Sequence, residues 1–290
     1  MATAETLQAE ARERPRIAVV AAAAALLALA APIVGLVVLK HAPDNLIAQA
    51  FQRQQHVAGL AVSAACSALS LLAITFTLDF LLRAVRARRS DLPWQIRPLL
   101  WVGGVGLAIL LLALQIATSV KLDHFVHDGT QTYEEARKVS DFGAVAYLGI
   151  LAQLGFAGAF VVTAVTAMRV GLLTRFLGYL GVISAVLFVL PLVPIPIVQA
   201  YWLGALAMLF AGRSPSGTPP AWQSGEAVPW PSPAEMREQR VREAEAKRGG
   251  GGGDDAIAGE LSEPGDGADE TLPGSGASPA TSRRKRKKRR

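Results

Sequence analysis

The chain has 290 residues, of which 51% are hydrophobic and 18% are charged, and its formal net charge is +6. A mean hydropathy of +0.34 excludes an ordinary soluble domain carrying a long polar tail, because the apolar residues must be concentrated in long blocks. Those blocks end near Gly212, after which Pro, Gly, Ser, Glu and Arg dominate. The sequence therefore predicts an all-α integral membrane protein, with a transmembrane bundle at 17–212 and a disordered cytoplasmic C-terminal tail at 213–290.

Six membrane spans are predicted within the bundle. About 20 apolar residues cross a hydrocarbon core of about 30 Å, and four blocks are long enough for this: 17–39, 57–82, 99–120 and 143–168. The last apolar stretch is too long for one span and contains "PLVPIPIV", whose prolines interrupt a helix, so two short spans are expected at 177–193 and 196–212. Two alternatives remain: a single kinked helix with an interfacial piece for the last stretch, and a signal peptide cleaved after Ala30 for the first.

The orientation follows from the distribution of Arg and Lys. The loop after the second span, "RAVRARRSDLPWQIRP", contains five arginines and one acid, Asp91. Because cytoplasmic loops accumulate Lys and Arg, this loop is predicted to be cytoplasmic. An even number of spans then places the short N-terminus, 1–16, and the tail on the same cytoplasmic side.

Polar side chains inside the predicted spans are candidates for function, since they are costly in lipid. Asp79 is the only carboxylate in any predicted span, and Arg83 follows it at a spacing that favours an ion pair on one helix face. Gln115, Gln153 and Gln199 lie on the third, fourth and sixth spans. They are consistent either with hydrogen bonds between helices or, together with Asp79, with the polar pathway of a small-solute or ion permease.

The segment "KLDHFVHDG" is the sharpest chemical pattern. If it is helical, His124 and His127 share one face, and Asp123 and Asp128 complete a candidate site for zinc or another divalent ion. Exposed histidines beside acids without a metal are the competing interpretation. The following stretch, 134–141, is predicted to form a short amphipathic helix on the outer surface.

The chain contains no Gly-x-Ser-x-Gly, P-loop, dinucleotide or His-Glu-x-x-His motif. We therefore expect a non-enzymatic protein without a cofactor. The small-residue spacing within the spans is that of ordinary helix packing and predicts no particular oligomeric state.

The stretch "MRVGLLTRFLGYLGVISAVLFVLPL" resembles small multi-pass membrane proteins of uncharacterised actinobacterial families. In that pattern a cytoplasmic Arg-containing hairpin, here with Arg169 and Arg175, leads into a helix notched by Gly178 and Gly181. The resemblance implies a bacterial plasma-membrane protein, and the enrichment in Ala, Gly, Arg and Pro is compatible with a high-GC bacterial source. Those families have no assigned activity, so it implies no site residues.

The tail divides by charge into three parts. A short helix is expected at 233–247, followed by an acidic segment at 254–270. The basic end comprises Arg283, Arg284, Lys285, Arg286, Lys287, Lys288, Arg289 and Arg290. Besides the lipid bilayer that holds the spans, anionic lipid headgroups are its expected partner, with a nucleic acid such as RNA, or a protein, as the alternative. The sequence thus predicts a membrane protein whose tail acts in electrostatic tethering or interaction, with a permease as the alternative.

Overall fold

The computed structural model describes residues 3–38, 45–89, 91–139, 141–190, 195–215 and 217–228, together with scattered residues between 235 and 245. This part of the chain is helical and contains no strand. The helices are α1 (Ala4–Val38), α2 (Leu46–Gln55), α3 (Val57–Arg88), α4 (Ile96–His127), α5 (Tyr133–Val139), α6 (Ala144–Arg169), α7 (Arg175–Val189), α8 (Ile197–Phe210) and α9 (Ala221–Ser224).

Four stretches are long and apolar enough to cross a membrane: α1, α3, α4 and Tyr133–Arg169, of which α6 is the continuous part. The predictions of an all-α structure and of four long apolar helices of membrane-spanning length are confirmed, and these helices support a membrane-embedded protein. α7 and α8 have 15 and 14 residues. At about 1.5 Å per residue they measure about 22 and 21 Å, less than a hydrocarbon core of about 30 Å, so they are not shown to be full spans.

Six helices pack as a closed ring in the order α1, α3, α4, α6, α7 and α8, with α8 returning to α1. The ring is filled by large buried side chains, including Leu78, Phe80, Phe156, Trp202 and Leu206. Trp202 donates its indole N–H to the Leu177 carbonyl at 2.9 Å, which ties α8 to α7. α7 and α8 thus pack on each other as a helical hairpin that is part of the ring.

Glycines let α4 approach its neighbours closely. A methyl group on Gly104 would overlap the Thr75 hydroxyl of α3, and one on Gly103 would lie 2.8 Å from the Phe156 Cβ of α6. Gly106, on the same helix, faces open space. Small residues at 103 and 104 therefore set the distance between these helices. In lipid no hydrophobic driving force pulls helices together, so their packing depends on how closely the backbones can approach.

The two ends of the ring differ in chemistry. We call the end that carries Arg14, Arg83, Arg88 and Arg97 the arginine end, since ion pairs and hydrogen bonds of these side chains connect the helix termini there. At the opposite, distal end, α2 and α5 pack on the end of α4. That contact buries Ala50, Leu122, Phe125, Ala136 and Val139. The short helix expected at 134–141 is confirmed as α5.

The boundary predicted at Gly212 is too early. Residues 217–228, which we call the tail root, pack against the arginine end, and Trp222 is only 5% exposed. Val228 N–H donates to the Val170 carbonyl at 3.1 Å, so contact continues to the end of this segment. A Pro- and Gly-rich segment is held here because one large aromatic side chain buries enough area to order it.

The chain divides into two compact units, the first ending at Ser232 and the second comprising 233–290. In the second unit the described residues between 235 and 245 are helical. Glu238 and Arg242 lie 3.9 Å apart, as expected for the predicted helix at 233–247. The acidic segment at 254–270 and the basic end at 283–290 lie outside the described residues.

Candidate functional site

Asp79 lies at the arginine end, 4% exposed, and every polar contact it makes is with a donor. Arg97 Nε donates to Oδ1 at 2.8 Å and Arg83 Nε lies 3.2 Å from Oδ2. Trp101 Nε1 also donates to Oδ1, at 3.1 Å. Two cations and an indole therefore neutralise the buried carboxylate, as burial of a charge requires. The predicted pair with Arg83 is confirmed, and the arrangement is that of a structural ion pair.

A second buried ion pair joins α1 to α3. The Arg88 side chain is 0% exposed and that of Glu10 is 12% exposed, and their atoms meet in two parallel bonds at 3.0 and 2.9 Å. Arg88 also donates to the Ala84 carbonyl at 2.7 Å and, through Nε, to the Ala221 carbonyl at 2.9 Å. One guanidinium thus connects three segments of the chain, α1, α3 and the tail root.

Trp222 is the anchor of the tail root. Its ring stacks on Phe80, with centroids 6.1 Å apart, and meets Phe210 edge-on at 6.0 Å. The Arg14 guanidinium lies 4.1 Å from the ring centre, within the range of a cation–π contact. The indole N–H donates to the Leu172 carbonyl at 2.9 Å, which satisfies the one polar group of the buried ring.

The loop between α3 and α4 is held by its own arginines. Arg86 donates to the carbonyls of Pro93 and Trp94, at 3.1 and 3.3 Å. Arg89 bonds to Asp91, and this hydrogen bond lowers the pKa of the exposed Asp91 carboxyl. The loop therefore presents a cationic surface in which its single acid stays ionised.

A partly open cavity of about 700 Å³ is lined by residues of all six ring helices, near the end of α7 and the start of α8. Ser63, Ser67 and Ser70 of α3 line it, together with Gln153 and Gln199 and a majority of apolar side chains. Gln153 donates to the Phe188 carbonyl at 2.6 Å and Gln199 to the Ser184 carbonyl at 3.4 Å. Both amides therefore hold α7 in place and also face the cavity.

The structure brings together two of the four residues predicted for a polar pathway. Gln153 and Gln199 line the cavity, whereas Gln115 and Asp79 do not. The Gln115 amide reaches only Ser119 of its own helix, at 3.5 Å, and Asp79 is held in its ion pairs at the arginine end. The sequence does not specify the direction in which each side chain points within the ring, so it could not show which of these residues line the cavity.

The histidine pattern lies at the end of α4, so the condition that it be helical is met, but its histidines approach separate acids in the described structure. Each imidazole approaches an acid four residues away in the chain: His127 Nδ1 lies 3.2 Å from Asp123, and His124 Nδ1 lies 3.8 Å from Asp128, which caps α4. All four side chains are more than 60% exposed. Among the residues that the structure describes, no three His, Cys, Asp or Glu side chains are grouped so as to hold a metal ion.

Sequence reasoning missed Arg88, Glu10 and Trp222, although all three stand in segments it examined. Glu10 precedes the first apolar block, Arg88 follows the second, and Trp222 is an isolated aromatic. Comparisons with protein-family models, curated proteins and solved structures find no match. Function is therefore inferred from the geometry of this chain.

Proposed function

We propose that this chain is a non-enzymatic protein of a bacterial plasma membrane that presents its C-terminal tail at the cytoplasmic face for electrostatic tethering or interaction. The observation that carries the proposal is the attachment of the tail root to the arginine end by Trp222. The described part of this segment ends at Val228, which bonds to the Val170 carbonyl at the arginine end, the side where the positive-inside rule puts the cytoplasm.

The side from which the tail starts does not depend on the number of spans. α7 begins close to Leu172, which bonds to Trp222, and α8 ends at Phe210, which contacts the same ring. Both ends of the hairpin thus lie at the arginine end, near Arg14 of α1. We propose six membrane-inserted helices, and the tail shares the side of the N-terminus whether the hairpin crosses the bilayer or turns inside it.

The tail's basic end has the chemistry to bind an anionic membrane surface. It carries eight consecutive bases, 283–290. Each Lys or Arg near an anionic leaflet contributes about 1 kcal/mol, and the attraction decays over about a Debye length. The acids at 254–270 compete for the same bases, so the proposed binding is sensitive to salt and to those acids.

The topology is tested by cysteine labelling. Cys66 is the only cysteine in the chain, so Cys66→Ser gives a background for single probes. Gln131→Cys at the distal end and Gly250→Cys in the tail are treated with a membrane-impermeant maleimide. In intact cells the first is expected to react and the second only after permeabilisation. The reverse result would refute the orientation.

The tail's role is tested with the full chain in neutral-lipid nanodiscs, by measuring its binding to phosphatidylcholine vesicles with and without phosphatidylglycerol. Replacement of the eight bases by Gln is expected to abolish binding to the anionic vesicles, and neutralisation of the acids at 254–270 to strengthen it. If vesicle binding is the same in the wild type and in both variants, tethering by the tail is refuted. Crosslinking in native membranes, with the chain ended at Val228 so that the tail root remains, identifies protein or RNA partners.

A small-solute permease is the second candidate, because Gln153 and Gln199 face one cavity. Between that cavity and the arginine end, however, the ring is filled by Trp202 and Phe156, both fully buried. A permeation route would need these side chains to move. Loss of solute flux in vesicles on Gln153→Leu, with unchanged thermal stability, would favour the permease over the anchored tail.

A further inference from the structure

The cavity lined by the six ring helices has the size of a ligand site and carries no formal charge. Its volume of about 700 Å³ falls within the range of about 300 to 1,000 Å³ typical of small-molecule sites. Leu71, Ile74 and Leu107 form part of its apolar wall, and no Asp, Glu, Lys, Arg or His is among its described lining residues. A charged ligand would be unpaired there, which is costly, so the site fits a neutral molecule.

The serines of α3 have already used their only protons. Ser63 donates to the Ala31 carbonyl at 2.7 Å, Ser67 to the Ser63 carbonyl at 3.0 Å and Ser70 to the Ala24 carbonyl at 2.9 Å. A hydroxyl oxygen that donates still has lone pairs. Toward the cavity these three residues are therefore hydrogen-bond acceptors.

α1 adds a backbone acceptor at the same level. Pro32 lacks the amide hydrogen that would pair with the Ala28 carbonyl in a regular helix, and both residues line the cavity. Gln153 and Gln199 each use one N–H on α7, and their side-chain oxygens accept from no donor within the described part of the chain. Acceptor oxygens thus outnumber the remaining N–H groups on the cavity wall.

We infer that this cavity binds a neutral lipid alcohol, a molecule with a long apolar body and a hydroxyl group that donates to this wall. The hydrocarbon lies against the leucine and isoleucine side chains, and the hydroxyl group donates its one proton to an acceptor oxygen of this wall and accepts from a remaining glutamine N–H. An apolar ligand without a donor would leave that acceptor desolvated and unpaired, which is unfavourable for a buried polar group. This site is separate from the tail and does not depend on the tail's role.

The test uses the purified full-length protein in detergent and a diazirine-bearing hexadecanol, compared with its methyl ether. The alcohol is expected to label peptides of α1, α3 or α7 saturably, with at least about tenfold weaker labelling by the ether, since one lost hydrogen bond of about 1.4 kcal/mol is a tenfold change. Gln153→Leu is expected to weaken alcohol labelling by about tenfold. Gln115→Leu, on the same side of the ring but outside the cavity, leaves it unchanged and serves as the matched control.

Ser67→Ala guards against a folding defect in Gln153→Leu, because it removes one acceptor oxygen with almost no change of volume. It is expected to weaken labelling by severalfold while the thermal unfolding temperature stays close to that of the wild type. Equal labelling by alcohol and ether, or alcohol labelling that neither Gln153→Leu nor Ser67→Ala alters, overturns the proposal.

Discussion

Replacing Trp222 by Ala is expected to release the tail root from the arginine end while the six-helix ring stays folded. The indole is 5% exposed and contacts Phe80, Phe210 and Arg14. No other aromatic side chain lies in residues 217–228. The remaining contacts, chiefly backbone carbonyls that accept from Arg88 and Arg14, are too few to hold the segment alone.

The expected magnitude follows from the buried ring. Truncation of a buried Trp or Phe to Ala costs about 3 to 5 kcal/mol, which corresponds to a rise of about 100- to 5,000-fold in the population of the released state. Trp222→Phe keeps most of the ring contacts but leaves the Leu172 carbonyl without its donor at 2.9 Å. Its effect is expected to lie between those of the wild type and the Ala variant, since an unpaired buried acceptor costs about 1 to 3 kcal/mol.

Amide hydrogen exchange of peptides covering 214–228 measures this release, because local opening sets the exchange rate there. The Val228 amide, bonded to the Val170 carbonyl, is the most direct reporter. Trp94→Ala is the matched control, since Trp94 is also at the arginine end but is 72% exposed. If exchange in 214–228 is the same in Trp222→Ala and in the control, Trp222 does not anchor the segment and the proposed start of the tail loses its support.

Two further pairs of variants test the packing of the ring by thermal unfolding in detergent. Gly104→Ala is expected to destabilise by about 1 to 3 kcal/mol through overlap with α3, whereas Gly106→Ala, which faces open space, should be close to neutral; equal effects would refute the close approach. Glu10→Gln leaves the fully buried Arg88 without its carboxylate and is expected to cost about 3 to 5 kcal/mol. Glu13→Gln removes a pair whose side chains are about 45% exposed and should cost less than about 1 kcal/mol, so similar unfolding temperatures for the two would contradict the burial argument.

The long helices were predictable because the tendency of a segment to enter lipid depends on the hydropathy of its own residues, which is read directly along the chain. The pair of Asp79 and Arg83 was predictable for a similar reason, since a spacing of four fixes neighbours on any helix. Arg97 and Trp101, which complete that site, come from α4, and no local pattern specifies which side chains of another helix will meet a given carboxylate.

The tail root illustrates a different limit. Its Pro- and Gly-rich composition correctly predicts a segment with little regular structure. Composition does not reveal, however, that one side chain, Trp222, attaches the segment to the ring. Trp222 finds its partners on α1, α3 and α8, which are distant in sequence. The cavity was likewise beyond prediction, because it depends on where the hairpin ends within the ring and on which of three similar glutamines face inward.

The first and last helices of the ring, α1 and α8, close it by packing on each other. The ring therefore cannot be completed until α8 has been synthesised. α1 packs on α8, and Arg14 bonds to a carbonyl 208 residues away. At synthesis rates of about 5 to 20 residues per second, α1 waits about 10 to 40 seconds in the membrane before its last neighbour has been made. The buried residues of α1 are Ala18, Ala21, Ala24, Ala25 and Ala31. Because their side chains are small, few side-chain rearrangements are needed on α1 when α8 packs against it.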